Sequence, residues 1–210
     1  MKYIFVAGAP GSRWSTVVKN IYYSDSIDRS DYRDEWTYYF DPTGFPGAAS
    51  LMHTGAYFDP GMACDLPEDF FSMDRSQLEA VFDRPFTNNS GKIRIIKSHI
   101  FSNHIDFLRT TFPECSIVLV YRSDDDCLGG WVKSGGFDIK YPDYRPYYKD
   151  IKTMNQLIKK QNLGIMQSWI KYTGQRPENN QELATALNIE MPPSDYFMEF
   201  GIDNIKVKVI

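Results

Sequence analysis

Tyr3-Ile4-Phe5-Val6-Ala7-Gly8-Ala9-Pro10-Gly11-Ser12-Arg13-Trp14-Ser15-Thr16 is the stretch whose reading decides the fold. Its first five residues are a continuous apolar run broken by glycine, the pattern of a strand buried on both faces in a parallel sheet. From Ser15 to Tyr23 the chain reads as a helix with Val17, Val18 and Ile21 on one side. A glycine-rich turn from such a strand into a helix start exposes unpaired backbone N–H groups, and the helix dipole favours an anion there. Gly8 and Gly11 permit the tight path, while Ser12, Ser15 and Thr16 add hydroxyl donors. The stretch is read as a phosphate-cradling strand–loop–helix, with an ordinary glycine turn as the alternative.

Two segments further along repeat the order of strand then helix. Ile93-Arg94-Ile95-Ile96-Lys97 reads as a strand, and Asn103 to Thr111 as a helix stopped by Pro113. Ser116 to Tyr121 is the clearest buried strand, and Asp124-Asp125-Asp126 after it suits a helix N-terminus. Three such units imply right-handed crossovers and an α/β fold, a mostly parallel central sheet flanked by helices in three layers. Ligands of such sheets sit beyond the carboxyl ends of the strands, which singles out the loops after Ala7, Lys97 and Tyr121. Elsewhere the pattern predicts a short helix at Gln77–Phe82, a long one at Ile151–Tyr172, another at Asn179–Leu187, and an alternating terminal strand at Ile205–Val209. Residues 24–75 read as loop, rich in breakers such as Asp41-Pro42-Thr43-Gly44. No linker divides the chain, so residues 1–210 are read as one domain.

Composition narrows the partners. With 23 basic against 27 acidic residues the formal charge is −4, which argues against a non-specific nucleic-acid binder. Anions must then be held by local donors. The three cysteines, Cys64, Cys115 and Cys127, have no metal-ligand spacing, and Cys115 and Cys127 read as buried thiols, so no metal is expected. The apolar stretch Ile4–Ala9 is too short for a signal sequence or a membrane span, and a soluble cytoplasmic protein is the expectation.

The first loop is close to a nucleoside-kinase Walker A sequence, G-x-P-G-S-G-K-S-T, but carries Arg13-Trp14 where that pattern has Gly-Lys. Tryptophan cannot supply the charge that lysine brings to the β- and γ-phosphates. A kinase with a degenerate loop is therefore the alternative rather than the leading reading. The chain resembles instead the sulfotransferases that use 3′-phosphoadenosine 5′-phosphosulfate (PAPS). Gly11-Ser12-Arg13-Trp14 falls on the G-T-T-W part of their first motif, P-K-S-G-T-T-W. Lys97-Ser98-His99 resembles their K-T-H segment, and Arg122-Ser123 with the following acidic residues resembles a strand ending in R-[NS]-x-x-D.

The resemblance implies a P-loop NTPase-like three-layer architecture, PAPS as donor and 3′,5′-adenosine bisphosphate (PAP) as product. It implies that Pro10, Gly11, Ser12, Arg13, Trp14 and Ser15 hold the 5′-phosphosulfate and that Arg122 holds the 3′-phosphate. His99 would be the base that deprotonates a hydroxyl or amine acceptor, with Lys97 and Arg13 stabilising negative charge. Three positions depart from the family: Ala9 stands at its lysine, Arg13 at its second threonine, and Gly130 at a phosphate-binding serine. Ser134 and Lys133 lie near that serine but out of register. Ala9 and Gly130 motivate a further alternative, a sulfotransferase-like nucleotide-binding protein without turnover. The acceptor, a small molecule or a glycan or peptide group, is expected among residues 36–75 and 137–150. There Trp36, Tyr38, Tyr39, Phe45, Tyr57, Phe58, Tyr141, Tyr144, Tyr147 and Tyr148 offer aromatic walls, or equally a loop-rich core. Residues 131–137 either cover the adenine or simply end a helix at Gly135. Of the other histidines, His104 reads as a surface or capping residue and His53 as a possible pocket residue.

Overall fold

The computed structural model describes residues 2–31, 37–38, 51–52, 54–59, 64, 66–88, 90–139, 144–192 and 204–210. The first strand, β1 (Tyr3–Gly8), lies at the centre of a five-stranded sheet. On one side it pairs with β5 (Arg94–Lys97), which pairs in turn with the edge strand β4 (Ala56–Tyr57). On the other side it pairs with β6 (Ser116–Tyr121). These four strands are parallel, and β7 (Lys206–Val209) closes the far edge antiparallel to β6. A separate antiparallel ribbon joins β2 (Thr37–Tyr38) to β3 (Leu51–Met52).

Side chains along β1 alternate between two apolar layers, as a strand buried on both faces must. Ile4 and Val6 face α1 (Trp14–Tyr22) and α7 (Asn180–Leu187), packing with Val17, Ile21, Leu183 and Leu187. Tyr3, Phe5 and Ala7 face the opposite layer, built from α2 (Arg75–Asp83), α3 (Ile105–Thr111) and α6 (Ile151–Lys171). Phe5 anchors that layer, its ring 5.4 Å from Phe82 and 5.3 Å from Phe112 between centroids. The expected α/β architecture with helices on both faces is present. Cys64, Cys115 and Cys127 are all buried free thiols. Among the described residues no helix is long and apolar enough to cross a membrane.

Several expectations need correction. The segment read as loop contains β2, β3 and β4, each of two residues and too short to show any period. The predicted helix from Asn103 begins at Ile105, because Ile100–Asn103 forms a tight 3-10 turn first. Helix α1 starts at Trp14, one residue earlier than its apolar pattern suggests. The alternation of the last strand breaks at Lys208, which is buried. Its ammonium donates to the carbonyl of Trp169 at 2.7 Å and to that of Tyr172, capping the end of α6.

Because β5 and β6 flank β1, the loops leaving all three strands meet above the same end of the sheet. After β6 the chain enters α4 (Asp124–Lys133), whose first amides are capped by the Ser123 hydroxyl, Asp126 N–H donating at 3.2 Å. A short helix, α5 (Arg145–Tyr148), then leads into α6.

Candidate functional site

The first loop folds on itself, with Ser12 N–H donating to the Ala9 carbonyl at 3.0 Å and Thr16 N–H to that of Arg13 at 2.9 Å. Gly11 sits at φ 75°, and a Cβ there would collide with the Cys127 carbonyl, so the loop lies directly against the backbone of α4. Arg13, the residue before α1, also adopts a left-handed φ of 67°. That geometry costs a non-glycine residue about 1–2 kcal/mol. The amides of Trp14 and Ser15, in the first turn, have no intrahelical acceptor. Above them is a cavity of about 100 Å³ whose wall includes Arg13, Trp14, Ser15, Thr16, His99 and Ser134. That is room for a phosphate- or sulfate-sized group, whereas whole drug-sized ligands occupy roughly 300 Å³ or more.

Ala9 stands where the resemblance would place a lysine. Its side chain is fully buried in an apolar cluster with Cys127, Trp131, Met154 and Ile158. A lysine here would place an ammonium in that cluster rather than in the cavity. Pro10 and Ser12 are likewise buried, and the Ser12 hydroxyl has no hydrogen-bond partner among the described residues.

His99 comes from the turn after β5 and is only 2% exposed. Its Nδ1 lies 2.5 Å from the Gly8 carbonyl oxygen. A carbonyl only accepts, so Nδ1 carries the hydrogen and Nε2 keeps its lone pair. The ring stacks on Trp14 at 4.0 Å and 17°, and meets Tyr57 edge-on at 5.6 Å. The loop and the candidate base are thus joined twice, through Gly8 and through Trp14. Burial pushes the His99 pKa down to about 3, the bond to Gly8 opposing and the nearby Lys97 adding to the effect. The imidazole is neutral at physiological pH and a weak base.

Lys97 is brought close but not into the cavity. Its side chain is completely buried, and Nζ lies 5.6 Å from the Trp14 ring and 5.3 Å from the Tyr57 ring. Among the described residues it has no hydrogen-bond partner. Burial lowers its pKa to about 7, with Asp31 and Asp59 opposing and Lys19 reinforcing. Trp14, which contributes to the cavity wall, also covers this amine.

Arg122 is 9% exposed, and its Nη1 donates to the carbonyls of Gly11 at 3.3 Å and Asp126 at 3.0 Å. It ties the first loop to α4 and is not part of the cavity wall. Gly130 is explained by the same contact, since a Cβ there would fall 2.6 Å from Arg122 Nη1. The serine absent at Gly130 has a neighbour in the structure. Ser134, one helical turn later, lines the cavity and donates its hydroxyl to the Gly130 carbonyl at 2.9 Å.

Two further residues escaped the sequence reading. Asp59, buried after β4, accepts from His99 N–H at 3.1 Å and from the Ser98 hydroxyl at 3.2 Å, fastening the turn that carries His99. Asn162 of α6 donates to the Arg122 carbonyl at 2.9 Å and to Asp124 at 2.7 Å, fastening the third loop. Neither belongs to a local motif, and only the fold brings them to their partners. Among the aromatic candidates, Tyr144 is on the cavity wall, Tyr57, Phe58 and Tyr148 are buried, and Tyr147 is exposed. Trp36, Tyr39, Phe45, Tyr141, His53 and the Tyr38 side chain lie outside the described residues. His104 stands at the start of α3, half-buried against Phe71 at 4.0 Å.

A larger cavity of about 650 Å³ opens beside β6 and β7, walled by Tyr121, Trp169, Arg176 and Lys206. It holds neither the loop nor a histidine, whereas the smaller cavity brings the first loop and His99 together. Compared with known proteins, the chain matches no family model, no curated protein and no solved structure.

Proposed function

We propose that this protein is a sulfotransferase that moves a sulfuryl group from PAPS to a hydroxyl or amine acceptor, on a P-loop-like α/β scaffold. The observation that carries the reading is the join between base and anion loop. His99 Nδ1 is bonded to the Gly8 carbonyl and the ring is stacked on Trp14, the first residue of α1, beside a phosphate-sized cavity. The amides at the start of α1, the hydroxyls of Ser15 and Thr16 and the head of Arg13 would hold the phosphosulfate end of the donor. The acceptor oxygen or nitrogen then displaces the bridging phosphate oxygen in line at sulfur, and the fixed donors stabilise charge developing on the leaving group. Arg122 acts here also as the strut that shapes the loop, its Nη1 bonded to the Gly11 and Asp126 carbonyls.

A nucleotide-binding protein without turnover is the second reading, favoured by the low basicity of His99 and by the apolar setting of Ala9. Thermal shift separates the readings at their first step, since a ligand of the folded state raises the midpoint according to its affinity. PAP is expected to stabilise the protein more than ATP or ADP, without magnesium. Preference for ATP, or no response to saturating PAP, overturns both readings. Given PAP binding, PAPS turnover against a panel of phenols, alcohols and amines decides between them.

A further inference from the structure

A second polar path leaves the cavity, and it ends on a carboxylate. Tyr144, on the cavity wall, has its hydroxyl 3.5 Å from that of Tyr57. The Tyr57 hydroxyl in turn lies against the Asp59 carboxylate, two residues along the same edge of the sheet, and favours its ionised form. Asp59 is 2% exposed and fixed by His99 N–H and the Ser98 hydroxyl. We infer that Tyr144, Tyr57 and Asp59 form a proton relay that takes the acceptor's proton from the cavity to the buried Asp59 carboxylate. The inference rests on the sulfuryl-transfer reading of this site.

The step balances without another reactant. As the acceptor oxygen bonds to sulfur, its proton passes to the Tyr144 oxygen, the Tyr144 proton to Tyr57, and the Tyr57 proton to Asp59. The electron pair of the broken sulfur–oxygen bond leaves on the 5′-phosphate oxygen. Asp59 is suited to receive the proton: burial raises its pKa to about 7, although His99 N–H, Tyr57 and Ser98 all favour its ionised form. A proton acceptor works best with a pKa near the operating pH, which Asp59 meets and His99, at about 3, does not. The titratable groups facing it are Lys97 from β5, His99 from the turn, Tyr57 from its own strand and Tyr148 from α5. Tyr57 and Tyr148 both titrate far above neutrality, so only Lys97 and Asp59 change charge near pH 7.

The test uses the whole protein with [γ-13C]aspartate, followed by NMR across pH, beside PAPS turnover. One carboxyl is expected to titrate near pH 7, to vanish in Asp59→Asn, and to shift in Tyr57→Phe and Tyr144→Phe. Asp59 titrating in the ordinary carboxylate range, or unmoved by both tyrosine variants, overturns the relay. In turnover, each tyrosine variant is expected to lower kcat by about 100-fold or more, to leave the KM for PAPS and the binding of PAP unchanged, and to lose the rising limb near pH 7. Rates within about twofold of wild type also overturn it. A wild-type protein that binds PAP and transfers to no acceptor fails the sulfuryl-transfer reading alone, and the carboxyl titration then decides the relay.

Discussion

At Arg13 the chain keeps a branched cation on left-handed backbone, at a position where the Walker pattern places glycine. The strain has a use if the guanidinium is needed in the cavity it lines. Arg13→Gly is therefore expected to relieve about 1 kcal/mol of strain in urea unfolding while weakening PAP binding at least tenfold; unchanged binding would remove Arg13 from the site. Gly130 makes the opposite case. Placing a serine there, as PAPS sulfotransferases have, Gly130→Ser, presses a side chain onto Arg122 Nη1. It should cost about 1–3 kcal/mol in equilibrium unfolding and lower affinity for PAP rather than raise it. At this scale the sequence singled out Arg13, Trp14 and His99, which the structure brings to one cavity wall, because each follows a strand that a pattern can locate. It did not show Ser134, which meets the cavity only because α4 turns it there, nor Asp59, whose partners are 39 and 40 residues away.

Helix α6 is the brace of the site, and Asn162 is the residue through which it acts. Its amide reaches the Arg122 carbonyl and Asp124 together, so one side chain holds both the end of β6 and the start of α4. Asn162→Leu leaves that buried carbonyl with only the weak Cys127 thiol donor at 3.4 Å and is expected to cost about 1–3 kcal/mol, with PAP affinity falling because the first loop leans on α4. Comparing urea midpoints with binding isotherms checks both parts. The elements legible in the sequence were those with a long signal: β1, β5 and β6 as apolar runs, α6 as 21 residues of helical spacing. Those missed were short. β4 has two residues and the 3-10 turn before α3 has four, too few for a hydrophobic pattern to show; β4 is defined by its pairing with β5, and the turn by local bonds such as His104 N–H to the Phe101 carbonyl.

Across the molecule, buried titratable groups pull stability in opposite directions with pH. His99 has a folded pKa of about 3 against an ordinary 6.5, so its contribution is complete above pH 6.5 and is lost as pH falls towards 3. Asp59, raised to about 7, and Asp31, raised to about 6, behave conversely: their contribution is complete below about pH 4 and is lost as pH rises through 6 to 7. His99→Gln removes the acid-labile member of this set. Its Tm deficit relative to wild type should therefore shrink as pH is lowered from 6.5 to 4, and a deficit constant with pH would contradict the burial assigned to His99. Lys97 offers a different measurement. An amine that is about half neutral near pH 7 acylates readily, whereas ordinary lysines are ammonium ions there, yet this one is sealed behind Trp14 and Tyr57. Its labelling by a small acylating reagent would proceed only as often as that aromatic cover parts. The lysine is thus a built-in clock for the breathing of the site, and a ligand that packs against Trp14 should slow it.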